Sequence, residues 1–94
     1  VKYSKNYKIE LKKSAAKELI KIPKTYQQQI IDGLKVLESN PNTQILDIKK
    51  LQTKGDFFRL RIGLYRVIYE VRKSQVLIYV IKIAHRKEVY KKLK

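Results

Sequence analysis

The chain has 94 residues, with 23 Lys or Arg against 8 Asp or Glu, and so carries a formal charge of +15 at neutral pH. A chain of this length builds one domain around one small core and buries roughly 60 to 70% of the surface its unfolded form exposes. With no Cys and a single His, His85, disulfides, thiolate chemistry and Cys- or His-rich metal sites are excluded, and so large a positive excess points to a polyanionic partner.

Tyr3 to Leu11 alternates, with Tyr7, Ile9 and Leu11 set against Lys8, Glu10 and Lys12, and is read as a strand with one buried face. Lysines at 2, 5, 8, 12, 13 and 17 interrupt every apolar stretch here, so there is no secretory pattern and a cytoplasmic location is expected. Ser14 precedes Ala15, Ala16, Leu19 and Ile20 and is the expected N-cap of a short helix ending near Lys21. Pro23 breaks that helix. Tyr26, Ile30, Leu34 and Leu37 then recur at helical spacing as far as Asn40-Pro41, which completes a helical hairpin. Gln27, Gln28 and Gln29 are expected on its solvated side.

From Asn40 to Asp56 the chain is polar and irregular, and it reads as a connecting loop carrying Lys49, Lys50 and Lys54. The period then changes to two over Phe57–Ile62, Tyr65–Val71 and Val76–Ala84, three consecutive antiparallel strands. The longest apolar run, Val76 to Ile81, has six residues against about 20 for a helical membrane span. The expected fold is α+β, one domain over residues 1–94: an N-terminal strand, a helical hairpin packed on a mainly antiparallel four-stranded sheet, and a short C-terminal helix.

Gly63-Leu64 leaves a two-residue connection with Gly at its first position, as a type II′ hairpin turn requires. Residue 62 then pairs with 65, 61 with 66, and 59 with 68, and directly paired residues share a face. One face carries Phe58, Leu60, Ile62, Tyr65, Val67 and Tyr69 and is assigned to the helices. The other carries Arg59, Arg61 and Arg66 with Phe57, Ile68 and Glu70, and sets Arg61 across from Arg66. Like charges so paired destabilise a bare sheet. A phosphate relieves that repulsion, and guanidinium forks match its oxygens bidentately. The facing of His85 is left open, because a two- or three-residue loop around Lys73 to Gln75 gives opposite answers.

The run Phe58-Arg59-Leu60-Arg61-Ile62-Gly63-Leu64-Tyr65-Arg66-Val67-Ile68-Tyr69-Glu70, followed by His85-Arg86-Lys87-Glu88-Val89-Tyr90, resembles the RelE/ParE superfamily of type II toxin-antitoxin toxins. The order of elements, including the helical hairpin and Lys49-Lys50-Leu51 before the sheet, matches along almost the whole chain. RelE-like members are ribosome-dependent messenger RNA endonucleases. ParE-like members poison DNA gyrase on a similar scaffold, by protein binding without catalysis. The resemblance to the RelE branch implies a catalytic set around the scissile phosphate formed by Arg59, Arg61, Arg66, Arg86 and Tyr90. It also implies attack of a ribose 2′-hydroxyl on the neighbouring phosphate, without metal or other cofactor.

Where the best-known RelE toxins carry lysines on the second strand, this chain has Arg59 and Arg61. Arginine keeps its proton, so the base must come from elsewhere: His85, Tyr90, Glu88 or one of Lys49, Lys50 and Lys54, with His85 intrinsically best matched to neutral pH. RNA contacts are expected from Lys49, Lys50, Lys54, Lys87 and Lys91. The expected partners are an acidic, RelB-like antitoxin, the ribosome and mRNA, with no membrane.

Overall fold

A computed structural model describes residues 6–88 of the chain. The elements run β1 (Lys8–Leu11), α1 (Lys13–Ile20), α2 (Lys24–Ser39), β2 (Asp47–Lys50), β3 (Phe57–Ile62), β4 (Tyr65–Arg72), a 3₁₀ turn (Lys73–Gln75) and β5 (Leu77–His85). The strands form one sheet in the order β1-β5-β4-β3-β2. β1 is parallel to β5 and the other pairs are antiparallel. The sheet therefore has five strands rather than four. The additional one, β2, lies inside the segment 40–56 that reads as loop, and it forms because Ile48 and Lys49 find ladder partners in Leu60 and Arg59 of β3.

The helical hairpin divides at Pro23 as the sequence predicts. Ser14 does not cap α1: the helix starts at Lys13, Lys12 occupies the cap position, and no side chain bonds there. Of the three glutamines, Gln28 and Gln29 are exposed as expected and Gln27 departs. Gln27 is half-buried and its Nε2 donates to Ile22 O at 2.6 Å and Ile20 O at 3.3 Å, closing carbonyls that the end of α1 leaves open. In α2, Ile30, Gly33, Leu34 and Leu37 are buried, the i, i+3, i+4, i+7 stripe of a helix lying on a sheet. They pack with Ala15 and Ile22 against Leu60, Val67, Tyr69, Ile78, Val80 and Ile83. Tyr69 is 1% exposed, and burial pushes its hydroxyl well above the usual tyrosine range. It stays protonated as part of this core.

The β3–β4 register follows the expected one, from Phe57 opposite Glu70 to Ile62 opposite Tyr65. Gly63 has φ +56° and Leu64 is not left-handed, as a type II′ turn needs. A Cβ on Gly63 would meet Tyr26 Cε1 at 3.9 Å, an ordinary contact, so the cost of a side chain lies in the backbone alone. Gly63→Ala is expected to lose about 1 kcal/mol, read as a fall of roughly 4–8 °C in thermal midpoint.

β5 carries a bulge. Its ladder with β4 shifts between Ile68 and Tyr69, which pair with Lys82 and Val80 and leave Ile81 as the extra residue. β1 reaches only as far as Val80, so the end of β5 has a free edge, and α1 covers it. There Glu18 accepts Ile83 N–H at 2.9 Å and pairs with Lys82. Residues 86–88 form a turn, and the expected C-terminal helix lies outside the described residues. No helix among the described residues is long and apolar enough to cross a membrane.

Candidate active site: arginines at the hairpin end of the sheet

Strand alternation builds the candidate site. On the face turned from the helices, in the row nearest the Gly63-Leu64 turn, Asp47, Arg61, Arg66 and Ala84 stand side by side on β2, β3, β4 and β5. The next row holds Lys49, Arg59, Ile68 and Lys82. Both rows belong to the face opposite the helices. Directly paired Cα atoms lie about 5 Å apart, so Arg61 and Arg66 are brought together as the register requires.

Each arginine is held differently. Arg66 Nη1 donates to Gly63 O at 2.9 Å and Tyr65 O at 3.0 Å, which folds it onto the hairpin. Arg59 is largely enclosed, with 15% of its side chain exposed; its Nη2 meets Asp47 Oδ1 at 2.7 Å. Its Nε is buried with no acceptor among the described residues. Arg61 is 54% exposed, and its Nε lies 3.7 Å from Asp47 Oδ2. Asp47 therefore spans two of the three guanidiniums, and sequence reasoning missed it. Its local signal in the sequence is no more than one apolar residue, Ile48, between Asp47 and Lys49.

Arg86 joins the same end of the sheet through its backbone. Its N–H donates to Leu64 O at 2.7 Å, which continues the β4–β5 ladder one step beyond the His85–Tyr65 pair. His85 goes elsewhere. Opposite Tyr65, it lies on the face that carries the helices, with the two rings 5.8 Å apart and edge to face. Its Nδ1 accepts the N–H of Lys87 at 3.2 Å, which leaves the proton of a neutral ring on Nε2. With Glu18, Lys21, Tyr65, Lys82 and Glu88 it lines a separate polar cavity of about 250 Å³.

The lysines also divide. Lys49 pairs with Arg59 and shares the arginine face, whereas Lys50 pairs with Phe58 on the other and lies 3.5 Å from Asp56. Lys54 is exposed in the segment before Phe57, at the far end of β3 from the hairpin turn, and Lys87 is exposed just after β5. Tyr90 and Lys91 lie outside the described residues. Among the described residues no three His, Cys, Asp or Glu side chains gather as metal ligands.

A chain of this topology has known counterparts. The model of the ParE toxin family of type II toxin-antitoxin systems matches residues 9–90. The chain belongs to the RelE/ParE superfamily of type II toxins. A relative named as toxin RelE1 in Methanocaldococcus jannaschii is 30% identical over 86 residues, which is 90% of this chain and 96% of the relative. The toxin in the archaeal RelE-RelB complex from Pyrococcus horikoshii superposes with a TM-score of 0.77 at 31% identity, over 86% of this chain and 96% of that one. The RelB-RelE complex from Methanococcus jannaschii gives 0.73 at 27% identity, over 89% and 98%. The protein is thus a RelE-like toxin of a toxin-antitoxin system, and its α+β architecture is that of RelE structures.

Proposed function

We propose that this toxin is a ribosome-dependent endoribonuclease that cleaves mRNA by attack of a ribose 2′-hydroxyl on the adjacent phosphate. The observation that carries this reading is the Arg61–Arg66 pair, which the register forces together at the end of the sheet where Arg86 is tethered to Leu64. In the reaction the 2′-oxygen forms a bond to phosphorus and the bond from phosphorus to the 5′-oxygen breaks. One proton leaves the attacking hydroxyl and one is delivered to the departing oxygen. Charge grows on the non-bridging oxygens at the transition state, and fixed guanidiniums stabilise it more than they stabilise the ground state. Arg61, Arg66 and Arg86 take that role, while the ribosome holds the message for in-line attack.

Among the candidates for proton acceptor, Lys49 is the described residue that shares the arginine face. His85, turned to the helix side with Nδ1 engaged, serves the turn that carries Arg86. Tyr90 keeps its proposed role at the reacting nucleotide, and Lys54, Lys87 and Lys91 theirs as RNA contacts. A small acidic, RelB-like antitoxin neutralises the toxin. The toxins in the Pyrococcus and Methanococcus structures are solved with RelB, and the charge of +15 favours an acidic partner.

The test is the chemistry of the cut ends. RNA from translating ribosomes treated with the toxin is expected to carry a 2′,3′-cyclic phosphate and a 5′-hydroxyl; a 5′-phosphate would show water as nucleophile and overturn the mechanism. The neighbouring reading frame is expected to encode a small acidic protein that copurifies with the toxin and suppresses its toxicity.

A further inference from the structure

We propose that Asp47 is an internal counterion occupying the place of an RNA phosphate, so that RNA binds this face by exchanging a carboxylate for a phosphodiester. The inference rests on the endoribonuclease reading above and deepens it. Asp47 presents one oxygen to Arg59 Nη2 at 2.7 Å and the other to Arg61 Nε at 3.7 Å, the two-oxygen, two-cation arrangement a phosphate adopts between guanidiniums. The partners are unequally fixed. Arg59 is 15% exposed and Asp47 52%, so the cation is built into the sheet and the acid is the replaceable member.

The pairing is also incomplete. Among the described residues Arg59 Nε is buried without an acceptor, and Asp47 reaches Nη2 alone. A phosphate engaging Nε and Nη2 together satisfies a donor that the free protein leaves open, and such open donors at functional sites call for a ligand. The backbone permits the exchange. Asp47 is the first residue of a four-residue edge strand and its side chain is 52% exposed, so a change of rotamer releases it while Leu46 and Ile48 stay packed against the core.

A fixed strut and a displaced counterion predict opposite results. If Asp47 served to hold the arginines ready for RNA, removing its charge would weaken binding. If RNA displaces it, removing its charge strengthens binding. The measurement is the affinity of the full-length toxin for a single-stranded RNA with a 2′-deoxy linkage at the cleavage position, over a range of salt. Asp47→Asn is expected to bind about threefold to tenfold tighter, with the slope of log K against log salt unchanged, because the same phosphate is neutralised in both complexes. Asp47→Ser is expected to behave alike, and thermal melting confirms that each variant folds.

Glu38→Gln makes the same change in net charge on α2, exposed there beside Ile9 and Leu11 of β1 and away from the arginines, and is expected to change neither quantity. Adding Arg59→Ala to Asp47→Asn should abolish the gain. Equal or weaker binding by both Asp47 variants, or a gain that survives loss of Arg59, overturns the proposal. The two readings fail separately. Loss of cleavage in Arg61→Ala and Arg66→Ala without tighter binding by Asp47→Asn removes only the counterion, whereas undiminished cleavage in those arginine variants removes the endoribonuclease site itself.

Discussion

Single-turnover cleavage of ribosome-bound mRNA is expected to slow by roughly 100-fold or more when Arg86 or Arg66 is replaced by Ala, the loss typical of removing one preorganised transition-state contact. Ribosome affinity is expected to change by less than about threefold. Removing one positive charge from +15 alters the long-range field by about 7%, whereas the chemical step loses a donor aimed at the developing charge. The two arginines reach the site by different routes, Arg66 by hydrogen bonds to Gly63 O and Tyr65 O and Arg86 by its backbone bond to Leu64 O. Lys35, exposed on α2, supplies the control, and Lys35→Ala should cleave at the parent rate. Equal activity of Arg86→Ala, Arg66→Ala and Lys35→Ala would make these arginines generic RNA contacts.

The second large effect falls on stability. Leu37 is 0% exposed and closes the buried stripe of α2 above the sheet. Leu37→Ala is expected to cost about 2–5 kcal/mol, the lost transfer energy plus that of the cavity left behind. For a domain of this size this corresponds to a fall of roughly 10–30 °C in thermal midpoint. Such a loss is a large fraction of the total stability of a small domain, about 5–15 kcal/mol. The steady-state level of the toxin in cells should fall with it, while Lys35→Ala, on the solvated side of the same helix, should leave the melting curve in place. A midpoint shift below about 3 °C in Leu37→Ala would contradict the packing described for α2.

The β3–β4 hairpin was legible because a two-residue turn with Gly63 at its first position leaves one register open, and that register fixes which residues share a face. The cross-strand Arg61–Arg66 pair follows from it. The helix stripe was legible for the same kind of reason, since Ile30, Leu34 and Leu37 repeat at the helical period and Pro23 marks the break. β2 was not legible. Asp47-Ile48-Lys49-Lys50 has one apolar residue in four, and its strand conformation comes from the ladder offered by β3, a partner distant in sequence. Missing β2 meant missing Asp47 and the separation of Lys49 from Lys50 onto opposite faces. The facing of His85 depended on two features with no local signature, the left-handed Val76 at φ 51° and the bulge around Ile81. Glu18, held against Ile83 and Lys82 across more than sixty positions of sequence, gives no sign in any window of residues.

Cleavage of the message on the ribosome is decided by mapping transcript ends on translating ribosomes after a brief induction of the toxin. New ends are expected within translated reading frames, absent from untranslated RNA and lost in Arg86→Ala. Growth arrest with intact messages, together with inhibition of DNA gyrase by the purified toxin, would contradict the account and assign this basic sheet to protein binding instead.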